Sequence, residues 1–413
     1  MKYFHKEYFN LGDFESRQKK AKERMNYDST IVTDLEIKPI NQPEIYRMFY
    51  VPTNETIELI ANISRLDVIL AKMYEQLPEV AQNNFFINML ASELHSSNEL
   101  EGVKSSKEEI VRTTRLIFME ESSTRKSNLR FKNVIKSYFE LREGHLKPPL
   151  DSKDCRKIYD EITSDGIDKS DYPDGKYYRK GPTYLYKNNK AIHRGIFKGE
   201  ETEEYIIDRM NDLFKFMEAR TLNLHQLIKI AVSHYYFGYI HPFYDGNGRT
   251  GRFISSIFLK ENYSWLTAMS LSQGSMLERG RYLKMFDVTN QIASQGEMNY
   301  FVDEFLSVII TGQEEVLGNL VQKSDLLNSI MKKIELDETL SNIDDKVIMN
   351  IMAQEYHFRS TGNGIGVEEL GGVFDYTPET LRNKLKNLYE RGLLEKVKGR
   401  PVTYKISKNY LEE

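Results

Sequence analysis

The strongest constraint on this chain is a twelve-residue joint, His241-Pro242-Phe243-Tyr244-Asp245-Gly246-Asn247-Gly248-Arg249-Thr250-Gly251-Arg252, set between two apolar segments. Residues 224–240 (LHQLIKIAVSHYYFGYI) read as an amphipathic or fully buried helix, and 251–260 (GRFISSIFLK) opens another. Gly246 and Gly248 permit backbone angles that a Cβ obstructs. A glycine-rich turn entering a helix aims several peptide N–H groups at one point, where the helix dipole favours negative charge. Arg249 and Arg252 flank that point and suit the oxygens of a multivalent phosphate. Asp245 is a hard oxygen donor of the kind Mg²⁺ takes alongside phosphates. His241 can accept a proton near neutral pH. A base, a metal carboxylate, an anion nest and two arginines so close in sequence point to catalysis on a bound polyphosphate.

The joint resembles the signature of the Fic family, H-x-F-x-[D/E]-G-N-G-R-x-x-R, at every position. The resemblance extends with varying strength over residues 60–310. It implies a protein AMP-transferase that moves AMP from ATP to a Ser, Thr or Tyr hydroxyl and releases pyrophosphate. On this reading His241 takes the hydroxyl proton, and Asp245 holds Mg²⁺ between the α- and β-phosphates. The N–H groups of Gly246, Asn247 and Gly248 stabilise developing charge, Arg249 meets the β-phosphate, and Arg252 steers the γ-phosphate. Phe243 anchors the loop. Ser97-x-x-x-Glu101-Gly102 resembles the inhibitory helix motif of the class with N-terminal inhibition. There Glu101 pairs with Arg252 and misplaces the phosphates; Gly102 also reads as the C′ residue of an exposed helix end. Tyr282 and Asn290 match family positions near the nucleotide base. Related family members instead remove AMP or transfer another nucleotide or phosphocholine, and nothing in the loop excludes removal.

In chain order, residues 1–55 are polar and broken by Pro39, Pro43 and Pro52, an extension packed on the core or used in self-association. The resemblance implies a Fic-type helical bundle over residues 56–311. Within it, 56–81 and 84–95 give a helical hairpin, 107–120 and 127–144 further helices, and 151–165 a helix capped by Asp151 or Ser152. Residues 166–199 carry turn signals around the β-prone Tyr177-Tyr178-Arg179 and Thr183-Tyr184-Leu185-Tyr186. A β-hairpin here fits the flap that the family lays over its active site to hold a target segment by strand pairing, with Tyr184, Tyr186 and His193 as contact candidates. Residues 200–218 read as an amphipathic helix, His234 as a core histidine, 276–290 as one helix, 298–311 as the close of the bundle and 312–340 as a connecting helix.

Residues 341–413 read as a small winged-helix domain of the α+β type on a mainly α protein. Helices at 343–356 and 366–374 precede one opened by Thr377-Pro378 and ended by Gly392; two strands follow, 393–397 and 402–406. From Thr377 onward there are nine basic and five acidic residues, a net charge of +4. Arg382, Lys384, Lys386 and Arg400 could meet DNA phosphates, with a protein-interaction unit as the alternative. The whole chain, at −4, predicts no general affinity for nucleic acid or anionic membrane, and its single Cys155 fits a reducing cytoplasm. The expected ligands are ATP and Mg²⁺. The expected partners are a target protein, the chain itself by auto-modification or as a homodimer, and DNA through the C-terminal domain. A DNA-binding regulator with a nucleotide sensor is the reading from another functional class.

Overall fold

The computed structural model describes residues 2–120, 129–187, 190–193, 195–219, 223–359, 364–371, 374, 376–399 and 401–412. The chain divides into two compact units: Met1–Ile69, Glu93–Ser105 and Glu120–Glu315 form the first, and Leu70–Ser92, Ser106–Met119 and Val316–Glu413 the second.

The first 50 residues are more structured than their polarity suggests. They form α1 (Phe4–Tyr8), α2 (Phe14–Met25) and an antiparallel hairpin of β1 (Ile31–Ile37) and β2 (Tyr46–Tyr50). Phe4, Tyr8 and Ala21 bury their side chains together with Ala293. Arg24 pairs with the buried Glu297, whose other oxygen accepts the Phe4 amide. A few apolar anchors and one buried ion pair thus fasten a polar segment to the first unit.

Next come α3 (Asn54–Glu75), α4 (Glu79–Leu100), α5 (Lys107–Glu120), α6 (Lys132–Glu143) and α7 (Ser152–Thr163). Asp151 caps α7 by accepting the Asp154 amide at 2.9 Å. Helix α4 outruns the expected 84–95 and ends in a turn at Gly102, φ +73°, with the Val103 amide returning to the Asn98 carbonyl.

The expected hairpin exists, with shifted strands. It pairs β3 (Leu185–Lys187) with β4 (Lys190–His193), while Tyr177-Tyr178-Arg179 joins no strand. Tyr178 and Arg179 are fully buried instead, spent on packing and capping under the loop. The side chains of Tyr186 and His193 lie outside the described residues, as does Arg400; Tyr184 is 40% exposed.

The centre of the first unit is α8 (Thr202–Glu218), α9 (Gln226–Ile240) and α10 (Asn247–Lys260). Helix α9 is buried along nearly its whole length. Short helices α11 (Trp265–Ala268) and α12 (Leu271–Leu277) follow, then α13 (Arg279–Thr289) and α14 (Asn299–Leu336). Two expectations need correction. The segment 276–290 is two helices broken at Glu278, whose backbone leaves the helical region at φ −102° and ψ +34°. Conversely, 298–311 and 312–340 are one continuous helix. Gly312 is a contact glycine: a Cβ there would collide with the Ser270 carbonyl.

In the second unit, α15 (Ile343–Phe358), β5 (Ile365–Gly366), α16 (Val367–Leu370), α17 (Pro378–Glu390), β6 (Leu394–Gly399), β7 (Val402–Ile406) and α18 (Lys408–Glu412) follow one another. The sheet order is β5-β7-β6. Thr377 caps α17 through the Thr380 amide, and Gly392 closes it at φ +77°. The expected helix at 366–374 shrinks to α16 because Ile365 and Gly366 pair with Tyr404 and Thr403. On α17, Lys384 bonds Asp344 at 2.9 Å and Lys386 lies 3.6 Å from Glu390, while Arg382 is exposed. No described helix is long and apolar enough to cross a membrane.

Candidate active site

The loop between α9 and α10 is held from inside. Phe243 is fully buried, stacked on Tyr159 at 3.7 Å between ring centroids and leaning on Tyr178 at 5.5 Å. Asn247 folds back, its Oδ1 accepting the Phe243 amide at 3.0 Å and its Nδ2 donating to the Phe243 carbonyl at 2.8 Å. Gly246 sits at φ +79°, and a Cβ on it would lie 2.7 Å from Thr163. The turn therefore needs glycine twice over, for its angle and for its room. It delivers the chain into α10 with Gly248 and Arg249 in the first helical turn.

An anion already stands at that helix end. The Glu101 carboxylate lies so close to Gly248 that a Cβ there would overlap Oε1, and the same oxygen is 2.9 Å from Arg252 Nη2. Arg252 is 1% exposed; its Nη2 also donates to the Ser97 carbonyl at 2.9 Å, and Ser97 Oγ accepts from Nε at 3.3 Å. Burial alone would push the Arg252 pKa down; the Glu101 carboxylate, with Tyr282, outweighs it, and the net direction is up. Ser97 and Glu101, one turn apart on α4 and its end, thus converge on one guanidinium, both through Nη2.

Arg249 is 2% exposed and donates to the carbonyls of Asp165 and Gly166 at 3.2 and 3.4 Å. Its Nη2 is 3.6 Å from Asp245, and its buried Nε has no hydrogen-bond partner. Burial lowers its pKa, with Asp245 and Glu101 opposing. Asp245 Oδ1 accepts the Gly246 amide at 2.6 Å, and its side chain is 42% exposed. No cluster of three His, Cys, Asp or Glu side chains able to cage a metal exists among the described residues. One half-exposed carboxylate beside an anion nest does fit Mg²⁺, which commonly takes one or two carboxylates plus phosphate oxygens.

His241 terminates α9 in the left-handed region, φ +50° and ψ +64°. Its Nδ1 lies 3.4 Å from Asn247 Nδ2. Asn247 Nδ2 is an amide donor, so in this contact Nδ1 of the neutral ring is the acceptor. The His241 carbonyl accepts from Arg179 Nε at 2.8 Å.

A family model described as Fic/DOC family matches residues 149–259. Residues 149–259 thus match a Fic/DOC family domain. A curated relative, the protein adenylyltransferase fic-1 of Caenorhabditis elegans, is 24% identical over 146 residues, 35% of this chain; the match spans only 27% of that relative's length. Among solved structures, a Fic family protein from Desulfovibrio desulfuricans aligns at 18% identity and TM-score 0.48, covering 87% of this chain and 98% of that one. A Fic domain containing signaling protein from Bacteroides thetaiotaomicron aligns at 18% identity and TM-score 0.41, covering 64% and 95%.

The Fic/DOC domain spans the hairpin, α9, the loop and most of α10. Tyr282 and Asn290 lie beyond it and have different hydrogen-bond partners. Tyr282 is 4% exposed, its hydroxyl 2.8 Å from His234 Nε2 and its ring 6.0 Å from the Arg252 guanidinium carbon. Asn290 Oδ1 accepts from the Tyr235 hydroxyl at 2.9 Å. His234, expected in the core, is fully buried; desolvation, helped by the Arg252 charge, drops its pKa to about 3. It stays neutral and is no base at physiological pH. Cys155 is buried likewise, its thiol pushed up to about 12 by burial. Two residues were invisible to sequence reasoning. Glu93 is fully buried and accepts the amides of Ser272 and Gln273 at the start of α12; burial lifts its pKa to about 8. Arg179 is the other. A lone Glu or Arg in a mixed sequence carries no local signal of burial.

Proposed function

We propose that the chain is a protein adenylyltransferase restrained by its own Glu101. The observation that carries this reading is the Glu101 carboxylate seated on Gly248 at the start of α10 and bonded to Arg252. A helix N-terminus flanked by two buried arginines is a receptor for anions, and here an internal one is present. ATP phosphates would take the same groups, with Arg252 released from Glu101 to reach the outermost phosphate. Mg²⁺, bound with them at Asp245, supplies neutralising charge. His241 accepts the proton of a target hydroxyl; that oxygen bonds to the α-phosphorus, the bond from the α-phosphorus to the bridging oxygen breaks, and pyrophosphate leaves. The amides of Gly246, Asn247 and Gly248 offset charge on the phosphates as it shifts. The hairpin β3–β4 holds the target segment by main-chain pairing. The fic-1 relative, a protein adenylyltransferase by name, supports this assignment.

Replacing Glu101 with Gly and incubating the protein with ATP, Mg²⁺ and lysate tests it. Mass spectrometry should find AMP on the chain itself and on a target hydroxyl at a rate well above the unaltered protein. No added AMP in either would refute the transferase reading. A pre-modified target that loses AMP with Mg²⁺ and no ATP would reverse the assigned direction. The C-terminal unit is proposed to select a protein partner rather than DNA, because Lys384 and Lys386 already meet carboxylates of their own unit. A salt-dependent gel shift by the full chain would contradict that.

A further inference from the structure

Arg179 is a fully buried guanidinium whose hydrogen bonds all go to the main chain. Nε donates to the His241 carbonyl at 2.8 Å, Nη1 to Gly181 at 2.7 Å, and Nη2 to Ile196 at 2.8 Å and Ile240 at 3.3 Å. Burying a cation without a carboxylate is costly, and four carbonyl dipoles are what offsets it here. Two of these carbonyls, Ile240 and His241, lie at the C-terminal end of α9, the negative end of the helix dipole. The other two bracket the hairpin: Gly181 precedes β3 and Ile196 follows β4. The main chain repeats the same link. The Arg179 amide donates to the Pro242 carbonyl at 3.1 Å, and the Ile196 amide to the Ile240 carbonyl at 3.2 Å. Room for the guanidinium depends on Gly195, where a Cβ would overlap Nη2 and lie 2.9 Å from His241 Cβ.

A helix C-cap needs one or two of these bonds; the fork uses the remainder on the hairpin. His241 meanwhile holds a left-handed backbone that a side chain ordinarily avoids, and such a conformation persists where its surroundings over-determine it. We infer that Arg179 is a positioning residue: it locks both feet of the hairpin to the carbonyl of His241, and so sets where the imidazole stands relative to the target segment the hairpin holds. The inference rests on the adenylyl-transfer reading. Lysine keeps the charge but offers one nitrogen in place of a planar fork, and cannot reach four carbonyls in that arrangement.

The test compares Arg179→Lys with its parent, both carrying Glu101→Gly. Single-turnover auto-modification should slow about 100-fold, the scale expected when a reacting group is misplaced by about 1 Å. ATP affinity should stay within about threefold, since Arg179 touches no phosphate-binding group. Hydrogen exchange should accelerate together at 179–181, 195–197 and 239–241. A rate within about threefold of the parent, or faster exchange on the hairpin side alone, would overturn the proposal. A parent that transfers no AMP would instead defeat the transferase reading, and exchange would still decide whether the hairpin and His241 are tied. If Arg179→Lys does not fold, Gly195→Ala, which leaves the guanidinium present and crowds its Nη2, is read by the same measurements with the same expected direction.

Discussion

The two ends of the His241–Arg252 loop each bury an arginine, and they hold it differently. At the α10 end, Arg252 meets a side-chain carboxylate, Glu101, that belongs to a distant turn and is itself 26% exposed. At the α9 end, Arg179 meets only backbone oxygens. A carboxylate on a flexible side chain can leave, and the cation it leaves behind then seeks another anion. Backbone carbonyls cannot leave without unfolding the turn. The first arrangement suits a group that must change partners, the second one that must not move. The electrostatics agree: Glu101 more than offsets burial for Arg252, whereas burial prevails at Arg179 and lowers its pKa to about 10, still well above neutral pH.

The sharpest way to break this contrast is at the residue the fixed end carries. With Glu101→Gly as background, His241→Ala should lower AMP transfer by about 1000-fold, the middle of the range for loss of a general base, while ATP binding persists. Transfer at the parental rate, followed with labelled ATP, would mean the fixed end positions something other than a base. Phe243 serves both ends, so Phe243→Ala should cost about 3–5 kcal/mol in urea unfolding; a loss under about 1 kcal/mol would show that the loop is not anchored from below. The surroundings of Arg252 can be sharpened by pH. Glu93 binds its proton more tightly folded than unfolded, its pKa rising from 4.5 to about 8 through burial. Its contribution is therefore complete below about pH 4.5 and declines as pH rises, until it is gone above about pH 8. The slope is at most about 1.4 kcal/mol per pH unit, and Glu93→Gln should flatten it in urea titrations across that window. The smallest effect belongs to Ser97→Ala, which removes one acceptor from Arg252. At about 1 kcal/mol it should raise auto-modification about fivefold in the Glu101-containing protein. A decrease would mean that Ser97 supports the reactive arrangement of Arg252 and not the restrained one.

What could be read from the sequence follows from locality. His241, Asp245, Gly246, Gly248, Arg249 and Arg252 lie within twelve residues, so one turn brings their chemistry together whatever the rest of the chain does. Ser97 and Glu101 were legible as a spacing on one helix end, and the structure sets both against Arg252. Long helices such as α3, α8 and α9 announced themselves by apolar periodicity. The hairpin was legible but misaligned, because β propensity marked Tyr177-Tyr178-Arg179 while tertiary burial claimed Tyr178 and Arg179. The division drawn between 311 and 312 falls inside α14, where Gly312 packs against the Ser270 carbonyl, a tertiary contact that the local sequence does not show. Arg179 and Glu93 were illegible for one reason. Arg179 bonds main-chain carbonyls and Glu93 bonds two main-chain amides beside the Tyr138 side chain, and main-chain atoms leave no trace in residue identity.

A clamp that grips only the main chain is indifferent to the side chains of the positions it grips. Residues 181, 196 and 240 can drift in identity so long as their carbonyls stay in place. The demand falls on position 179, where the fork must be arginine, and on position 195, where there is room for a hydrogen and nothing larger. Two letters of the sequence thereby guard a geometry built by three segments of backbone.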